Sequence, residues 1–524
     1  MSDPTADIDA QRRRCLRAAA ACVGLGLGLD AGASAKPVPS TAAKAAAAPP
    51  ARPASGPGPV DWSAVPAPLR PVLAGSGLPA HCIGVQVQEV EGRSRLLAAL
   101  NAELPYQLAS TAKVVTALAA LDLLGANYRW RTYAFTNGVL TNGRLLGDLL
   151  IVGGGDARLR SADLQAWFLR MQQQGLREVW GNIVLDRFAF RLRDDDFANT
   201  PPPAIDRPHH SRPDALTLDE GQLQVVVQAG ARGKPVVSLI PPLAGVKVVS
   251  DLGAGGCAVW AHPASAPARS EPGTQVLAVR GQWGAGCGSR EIVLAPMSHE
   301  EFTVRAVEGL WREAGGKLRG KVLDKRAPDR DQLLPNGPDG EPQLPFSVHL
   351  SEPLPQVIRE INKTSDNMAA RNLMLSLVRG FPSRAATMAE ARQRVDSWLR
   401  RQGLQPGDIA LETGSGLSRA ERGKPRAMVQ LLRNAWASQQ AQAFIDSLPI
   451  AGVDGTLAHR MTNGRATGAA FLKTGTLLDT RALAGYVKAG SGKTYAVAAL
   501  VNHPEATRAL PSLDGLIEWV ARNG

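Results

Sequence analysis

Three short polar motifs, and the distances between them, constrain this 524-residue chain more than any other feature. Ser110-Thr111-Ala112-Lys113 comes first, Ser365-Asp366-Asn367 second and Lys473-Thr474-Gly475-Thr476 third. The first opens an apolar stretch that predicts a helix over residues 110–124, with Gly125 beyond its end. A hydroxyl and an amine three residues apart on a helix share one face and lie within hydrogen-bond reach. A serine hydroxyl is a poor nucleophile until a base takes its proton, which a lysine of lowered pKa can do. The helix N-terminus also favours negative charge developing nearby. The second motif follows an amphipathic segment (Val357, Ile358, Ile361) interrupted by Asn362, Lys363 and Thr364, and reads as a turn facing a cleft. The third continues the strand pattern Ala469-Ala470-Phe471-Leu472. There Gly475 would let a ligand approach the strand backbone, Lys473 offers a charge for a carboxylate, and the threonine hydroxyls offer hydrogen bonds. Singly, each motif is an ordinary helix end, turn or strand end; the ordered triple, each member on a suitable element, is a constellation for serine acyl transfer.

The spacings set the architecture. Ser365 and Lys473 are 108 positions apart, enough for one domain's own helices and strands, whereas 255 positions separate Ser110 from Ser365. That gap requires one or two whole domains inserted between nucleophile and second motif. The inserted region reads as turn-punctuated strands, with Asn137-Gly138 and Asn142-Gly143 as tight turns. Short strands follow at Leu223–Val227, Val236–Ile240, Val246–Val249, Val276–Val279 and Ile292–Leu294. Two helices interrupt it, at residues 161–174 and after the capping box Ser298-x-x-Glu301. After residue 350 helices and strands mix, ending in three consecutive antiparallel strands (469–477, 483–487, 495–501) and a closing helix. The fold class is α/β (α+β): a catalytic domain with a central antiparallel sheet flanked by helices, discontinuous over 73–130 and 345–524, interrupted by β-rich domains over 131–344.

The motif triple is the signature of class A β-lactamases and penicillin-binding proteins. With the long gap, the chain resembles the D-alanyl-D-alanine carboxypeptidase/endopeptidase family, peptidase family S13 (the penicillin-binding protein 4 type). Further segments carry the likeness: Gly147-Asp148-Leu149 through Gly153-Gly154-Gly155-Asp156, Gly414-Ser415-Gly416-Leu417-Ser418-Arg419, and Ala451-Gly452-Val453-Asp454-Gly455-Thr456-Leu457. The resemblance implies a transpeptidase-like domain interrupted by two smaller β-rich ones. It implies that Ser110 attacks the carbonyl between two D-alanines with Lys113 as base, that Ser365 relays a proton to the leaving group, and that Asn367 contacts the substrate backbone. Lys473 and Thr474 would receive the terminal carboxylate, with Gly475 and Thr476 beside them. The backbone N–H groups of Ser110 and Thr476 would form the oxyanion hole. Asp366 is placed among the substrate contacts, although a turn role explains it equally well. β-Lactams would be trapped as covalent inhibitors, and no cofactor is implied. Trimming of terminal D-alanine and cutting of cross-links use the same acyl chemistry, and both stay open. A β-lactamase is disfavoured because such chains lack the large insertion, and a catalytically idle wall-binding protein because it needs no nucleophile–base pair.

Composition enters at three points. Arg12, Arg13, Arg14 and Arg17, the apolar stretch Ala18–Leu29 and Ala33-Ser34-Ala35 read as an export leader over 1–35, by the general secretory or the twin-arginine route, which implies a periplasmic protein. Residues 36–72, rich in Ala, Pro, Ser and Gly, read as a flexible tether. Of five cysteines, Cys257 and Cys287 are a plausible disulfide in an oxidising compartment, and Cys82 sits in a strand pattern as a buried, inert thiol. The net charge of +12 is diffuse, without a recognisable nucleic-acid motif, and suits a polyanionic wall or an anionic membrane surface. His209-His210 has no partners at metal spacing, so no metal is expected.

Overall fold

The computed structural model describes residues 60–325 and 341–524, apart from 93, 206, 231–233, 268–269, 272 and 285. The expected leader and the Ala/Pro-rich tract up to residue 59 lie outside the described residues.

Both ends of the described chain meet in one antiparallel sheet. Its order is Ala470–Leu477, Thr480–Lys488, Thr494–Asn502, Ile83–Glu89, Leu96–Leu100. The strands are buried on both faces, so they are continuous runs of Ala, Val and Leu rather than polar–apolar alternations. The period of two sorts the side chains. Ala496, Ala498 and Leu500 join Ala482 and Ala484 in one core, while Tyr495, Val497, Ala499 and Val501 join Leu472 and Leu483 in the other. Helix Pro425–Trp436 packs on the first face. Beyond it lies helix Ala112–Leu124, apolar on most of its surface and buried from Ala112 to Leu121, enclosed by helices Leu354–Thr364, Asn367–Leu375 and Met388–Arg401. Such a helix belongs in an interior. The second face carries helix Leu510–Asn523 and the short helix Arg70–Ala74.

That short helix corrects the tether expected to reach residue 72. Val65, Leu69 and Leu73 are buried in the second core, and the Ala99 N–H donates to the Ala64 carbonyl at 3.0 Å. Val65 lies in a bend, Leu69 in a 3-10 turn and Leu73 in the short helix, an apolar set that the surrounding Ala and Pro disguise.

Residues 131–325 and 341–350 carry three further sheets. The main one pairs Arg131–Thr141 with Arg144–Val152 in a hairpin turning at Asn142-Gly143. Asn137-Gly138, expected as a second turn, lies inside the strand, paired with Asp148 and Gly147. Strand Ser347–Leu350 pairs with the outer edge of the same hairpin, so the inserted sheet reaches Leu350 rather than ending at 344. Ile183–Asp186 runs parallel to both Leu149–Val152 and Val322–Asp324. Parallel pairs need crossovers, and helices Ser161–Gln173 and His299–Glu313 supply the cover, packing Trp167, Phe168, Phe302, Leu310 and Trp311 into one core. This part is a layered α/β unit whose cover is the two helices expected from the sequence. The rest consists of two three-stranded sheets between Leu223 and Leu294, where a disulfide joins Cys257 to Cys287 with Cα atoms 5.4 Å apart. Cys82 is a free, half-buried thiol.

Candidate active site

Helix Ala112–Leu124 is entered through a 3-10 turn, Ala109–Thr111, so Ser110 sits on the turn and Lys113 one step into the helix. The turn is pinned to the sheet edge. A Cβ on Gly475 would lie 2.8 Å from the Leu108 carbonyl oxygen and 3.1 Å from the Ala109 Cβ. Gly475 thus permits the close approach of the nucleophile's own backbone to the strand.

Lys113 has no exposed surface, and its Nζ donates to Ser110 Oγ at 3.0 Å, to Asn367 Oδ1 at 2.6 Å and to the Ser415 carbonyl at 2.6 Å. Burial pushes its pKa down to about 7, against the upward pull of the Asp366 and Glu421 charges. A base titrating there is neutral for much of its population at neutral pH, the state that can accept the Ser110 proton.

The second motif lies between two helices. Ser365 ends helix Leu354–Thr364 in the left-handed region, φ 63°, and Asp366 caps helix Asn367–Leu375 by accepting from the Ala369 N–H at 2.9 Å. The tight turn sends Ser365 and Asn367 toward the lysines. Lys473, also without exposed surface, donates to Ser365 Oγ at 3.0 Å, and burial followed by the charge of Lys113 holds its pKa well below the usual lysine value. Asn367 Nδ2 donates to the His209 carbonyl at 3.0 Å, tying the motif to the inserted region. Asp366, expected among the substrate contacts, instead turns back: beyond its cap, its other oxygen lies 3.9 Å from Arg158 of the inserted region. Thr474 is buried, its hydroxyl 2.7 Å from that of Thr456, while Thr476 is exposed at the rim.

Ser110, Lys113, Ser365, Asn367 and Lys473 therefore converge, with Thr474, Gly475 and Thr476 along the edge strand; Asp366 stands behind them, and Cys257 and Cys287 are in the distant three-stranded sheets. Reasoning from sequence missed the supports. Glu421 accepts from the N–H groups of Glu412, Thr413, Gly414 and Gly416, shaping the loop that presents the Ser415 carbonyl. Arg371, fully buried, donates to the Ser211 carbonyl at 2.7 Å with its guanidinium over the Phe197 ring. Asp454 holds Lys363 at 2.6 Å and so anchors the end of the helix that carries Ser365. The segment 451–457 signalled Asp454, and 414–419 the loop that Glu421 shapes; Glu421 itself, within Arg419-Ala420-Glu421-Arg422, looks like a solvated charge.

Two buried lysines, each bonded to a serine, form a site for serine acyl transfer. The model described as the D-Ala-D-Ala carboxypeptidase 3 (S13) family matches residues 67–522. D-alanyl-D-alanine carboxypeptidase DacB of Haemophilus influenzae is 25% identical over 421 residues, covering 78% of this chain and 83% of that one. The D-alanyl-D-alanine carboxypeptidase of Actinomadura sp. (strain R39) is 28% identical over 399 residues, covering 74% and 71%. Among solved structures, penicillin binding protein 4 from Haemophilus influenzae shares the fold at a TM-score of 0.66 and 23% identity, covering 84% of this chain and 96% of that one. The chain belongs to the D-Ala-D-Ala carboxypeptidase 3 (S13) family.

Proposed function

We propose that this protein is a serine-type D-Ala-D-Ala carboxypeptidase and/or DD-endopeptidase that cleaves peptidoglycan stem peptides or cross-links through an acyl-enzyme on Ser110. The observation that carries the reading is the bond between Ser110 Oγ and a fully buried lysine whose pKa has fallen to about 7. Neutral Lys113 takes the hydroxyl proton as Oγ attacks the carbonyl between two D-alanines. The N–H groups of Ser110 and Thr476 receive the oxyanion, a contribution of about 3 kcal/mol per donor in a studied serine protease. As the C–N bond breaks, Ser365 passes a proton to the departing amine, and Asn367 holds the substrate backbone. Lys473, with the Thr474 and Thr476 hydroxyls, receives the terminal carboxylate. Water then attacks the ester, the acyl group leaves as a carboxylate, and the proton returns to Ser110. Terminal D-alanine and the acceptor strand of a cross-link are both amine leaving groups on a D-alanyl carbonyl, so the same acyl chemistry serves either cleavage.

A β-lactam would acylate the same serine while its leaving group stays tethered, so the ester persists. A structural relative supports this: penicillin binding protein 4 from Haemophilus influenzae has been solved in complex with a β-lactam. The Arg-rich leader and the net charge of +12 support export to the periplasm and loose adhesion to an anionic wall or membrane.

The test is labelling with fluorescent penicillin alongside Ser110→Ala. The expected result is a stable adduct on the wild type and none on the variant. Rapid loss of label with release of hydrolysed drug would identify a β-lactamase instead. Absence of any adduct would remove Ser110 as nucleophile and leave a wall-binding protein.

A further inference from the structure

We infer that Glu421 is a positioning residue for the base: its carboxylate shapes the 412–416 loop so that the loop grips Lys113 and backs the nucleophile's turn. The inference rests on the reading of Lys113 as the base for Ser110.

Glu421 has no exposed surface. A buried carboxylate is costly unless its lone pairs are met, and here they are. One oxygen accepts from the N–H groups of Glu412 (3.1 Å), Thr413 (2.7 Å) and Gly414 (2.6 Å) and from the Thr413 hydroxyl (3.3 Å), and the other from the Gly416 N–H (2.5 Å). Successive amides can converge on an anion only if the chain curls into a nest; Gly414 (φ 77°) and Gly416 (φ 88°) supply the left-handed steps. All of these partners are neutral donors.

The outer side of the same loop meets the catalytic elements at three points. The Ser415 carbonyl accepts from Lys113 Nζ at 2.6 Å, and the Gly414 carbonyl accepts from the Thr116 hydroxyl one turn along that helix at 2.7 Å. Gly416 is pressed on the nucleophile's turn, since a Cβ there would lie 1.9 Å from the Ala109 oxygen and 2.7 Å from the Ser110 nitrogen. One carboxylate thus fixes both members of the nucleophile–base pair without touching either.

It also acts by charge. Lys113 feels Asp366 from the second-motif turn, Glu421 from the loop, Arg371 from helix Asn367–Leu375 and Lys473 from the edge strand. Burial lowers the Lys113 pKa, Asp366 and Glu421 raise it, and Arg371 lowers it again. Removing the Glu421 charge must lower that pKa further, so neutral Lys113 is reached at lower pH. Removing its geometry must slow acylation at every pH. A residue that only stabilised the fold would do the second without the first.

The experiment follows the second-order rate of acylation by fluorescent penicillin, from about pH 5 to pH 9, for the full chain, Glu421→Gln and Glu421→Asp. For Glu421→Gln, whose amide would oppose the Gly416 N–H, the plateau is expected to fall about tenfold or more, and the acid limb to move down by about half a pH unit or more. Glu421→Asp keeps the charge but falls short of the nest, so its plateau falls while its limb stays. Equal limbs in all three proteins, or a limb displaced upward in Glu421→Gln, would overturn the inference. Should Glu421→Gln not fold, wild-type acylation across the profile by Glu421→Asp would overturn it, because the shorter side chain cannot hold the loop. A wild type that takes no label, or a Ser110→Ala protein that does, sinks the reading of Ser110 and Lys113 rather than the role of Glu421.

Discussion

Lys113 is a cationic residue type held where water cannot reach it, and the consequences extend beyond catalysis. Its pKa falls from 10.5 to about 7 on folding, through burial first. Between those values the unfolded chain binds the proton and the folded one does not, so this residue makes stability rise with pH across that window and costs most at or below its lower end. The free energy of unfolding of the wild type minus that of Lys113→Met should therefore grow by about 2 kcal/mol between about pH 7.5 and about pH 9.5, as read by urea titration. A flat difference would mean that Lys113 keeps its proton in the folded protein. Over the same range Lys113→Met should lose penicillin acylation by about two orders of magnitude or more. Lys113 and its partner Ser110 are legible in sequence because the motif is local. The value of about 7 is not, because it depends on the solvent that helices 354–364 and 367–375 exclude and on charges contributed from residues 366, 371 and 421.

At the scale of elements, the site depends on how closely backbones approach. The 3-10 turn before helix Ala112–Leu124 is held between the Gly475 strand on one side and the Gly416 loop on the other. Gly416→Ala would place a methyl group 1.9 Å from the Ala109 oxygen at a φ of 88°, so the loop, the turn or both must shift. The expected cost is about 1–3 kcal/mol of stability and a loss of acylation of about tenfold or more. Gly407 is the control: its φ is 87° and nothing lies within 4 Å of an added Cβ, so Gly407→Ala should carry the backbone strain and leave acylation unchanged. Comparison of labelling rates and melting temperatures for the two variants separates contact from strain. Helix and strand positions follow from periodicity at this scale, down to the Asn142-Gly143 turn. Asn137-Gly138 misleads because the local turn preference is overridden by pairing with Asp148 and Gly147 over a nine-pair ladder.

Across the whole molecule, the inserted region meets the catalytic domain through shared apolar packing, Ala157 and Phe197 in the first core and Ala385 against Phe135 and Phe188, and through polar ties. The His209 carbonyl holds Asn367, the Ser211 carbonyl holds Arg371, and Arg158 faces Asp366. The Cys257–Cys287 disulfide, 30 residues apart in sequence, lies in the part between Leu223 and Leu294. Closing that loop contributes about 3 kcal/mol. Its loss in Cys257→Ser/Cys287→Ser should lower the unfolding midpoint of those sheets while penicillin acylation stays within about twofold of wild type, monitored by limited proteolysis beside labelling. A large loss of acylation would show that the distal sheets bear on the cleft. By itself the sequence determined the three motifs, their order and the long insertion, because motif chemistry and chain length are written locally. It also determined the strand and helix periods, because each element's burial repeats along the chain. The tertiary structure alone decided that Asp366 turns away from the cleft, that Gly475 accommodates the nucleophile's turn, and that residues 60–72 belong to the core. It alone revealed Glu421 beneath the base. Each of these depends on which surfaces meet across tens or hundreds of residues, and burial and hydrogen-bond satisfaction between distant segments leave no periodic trace in either segment.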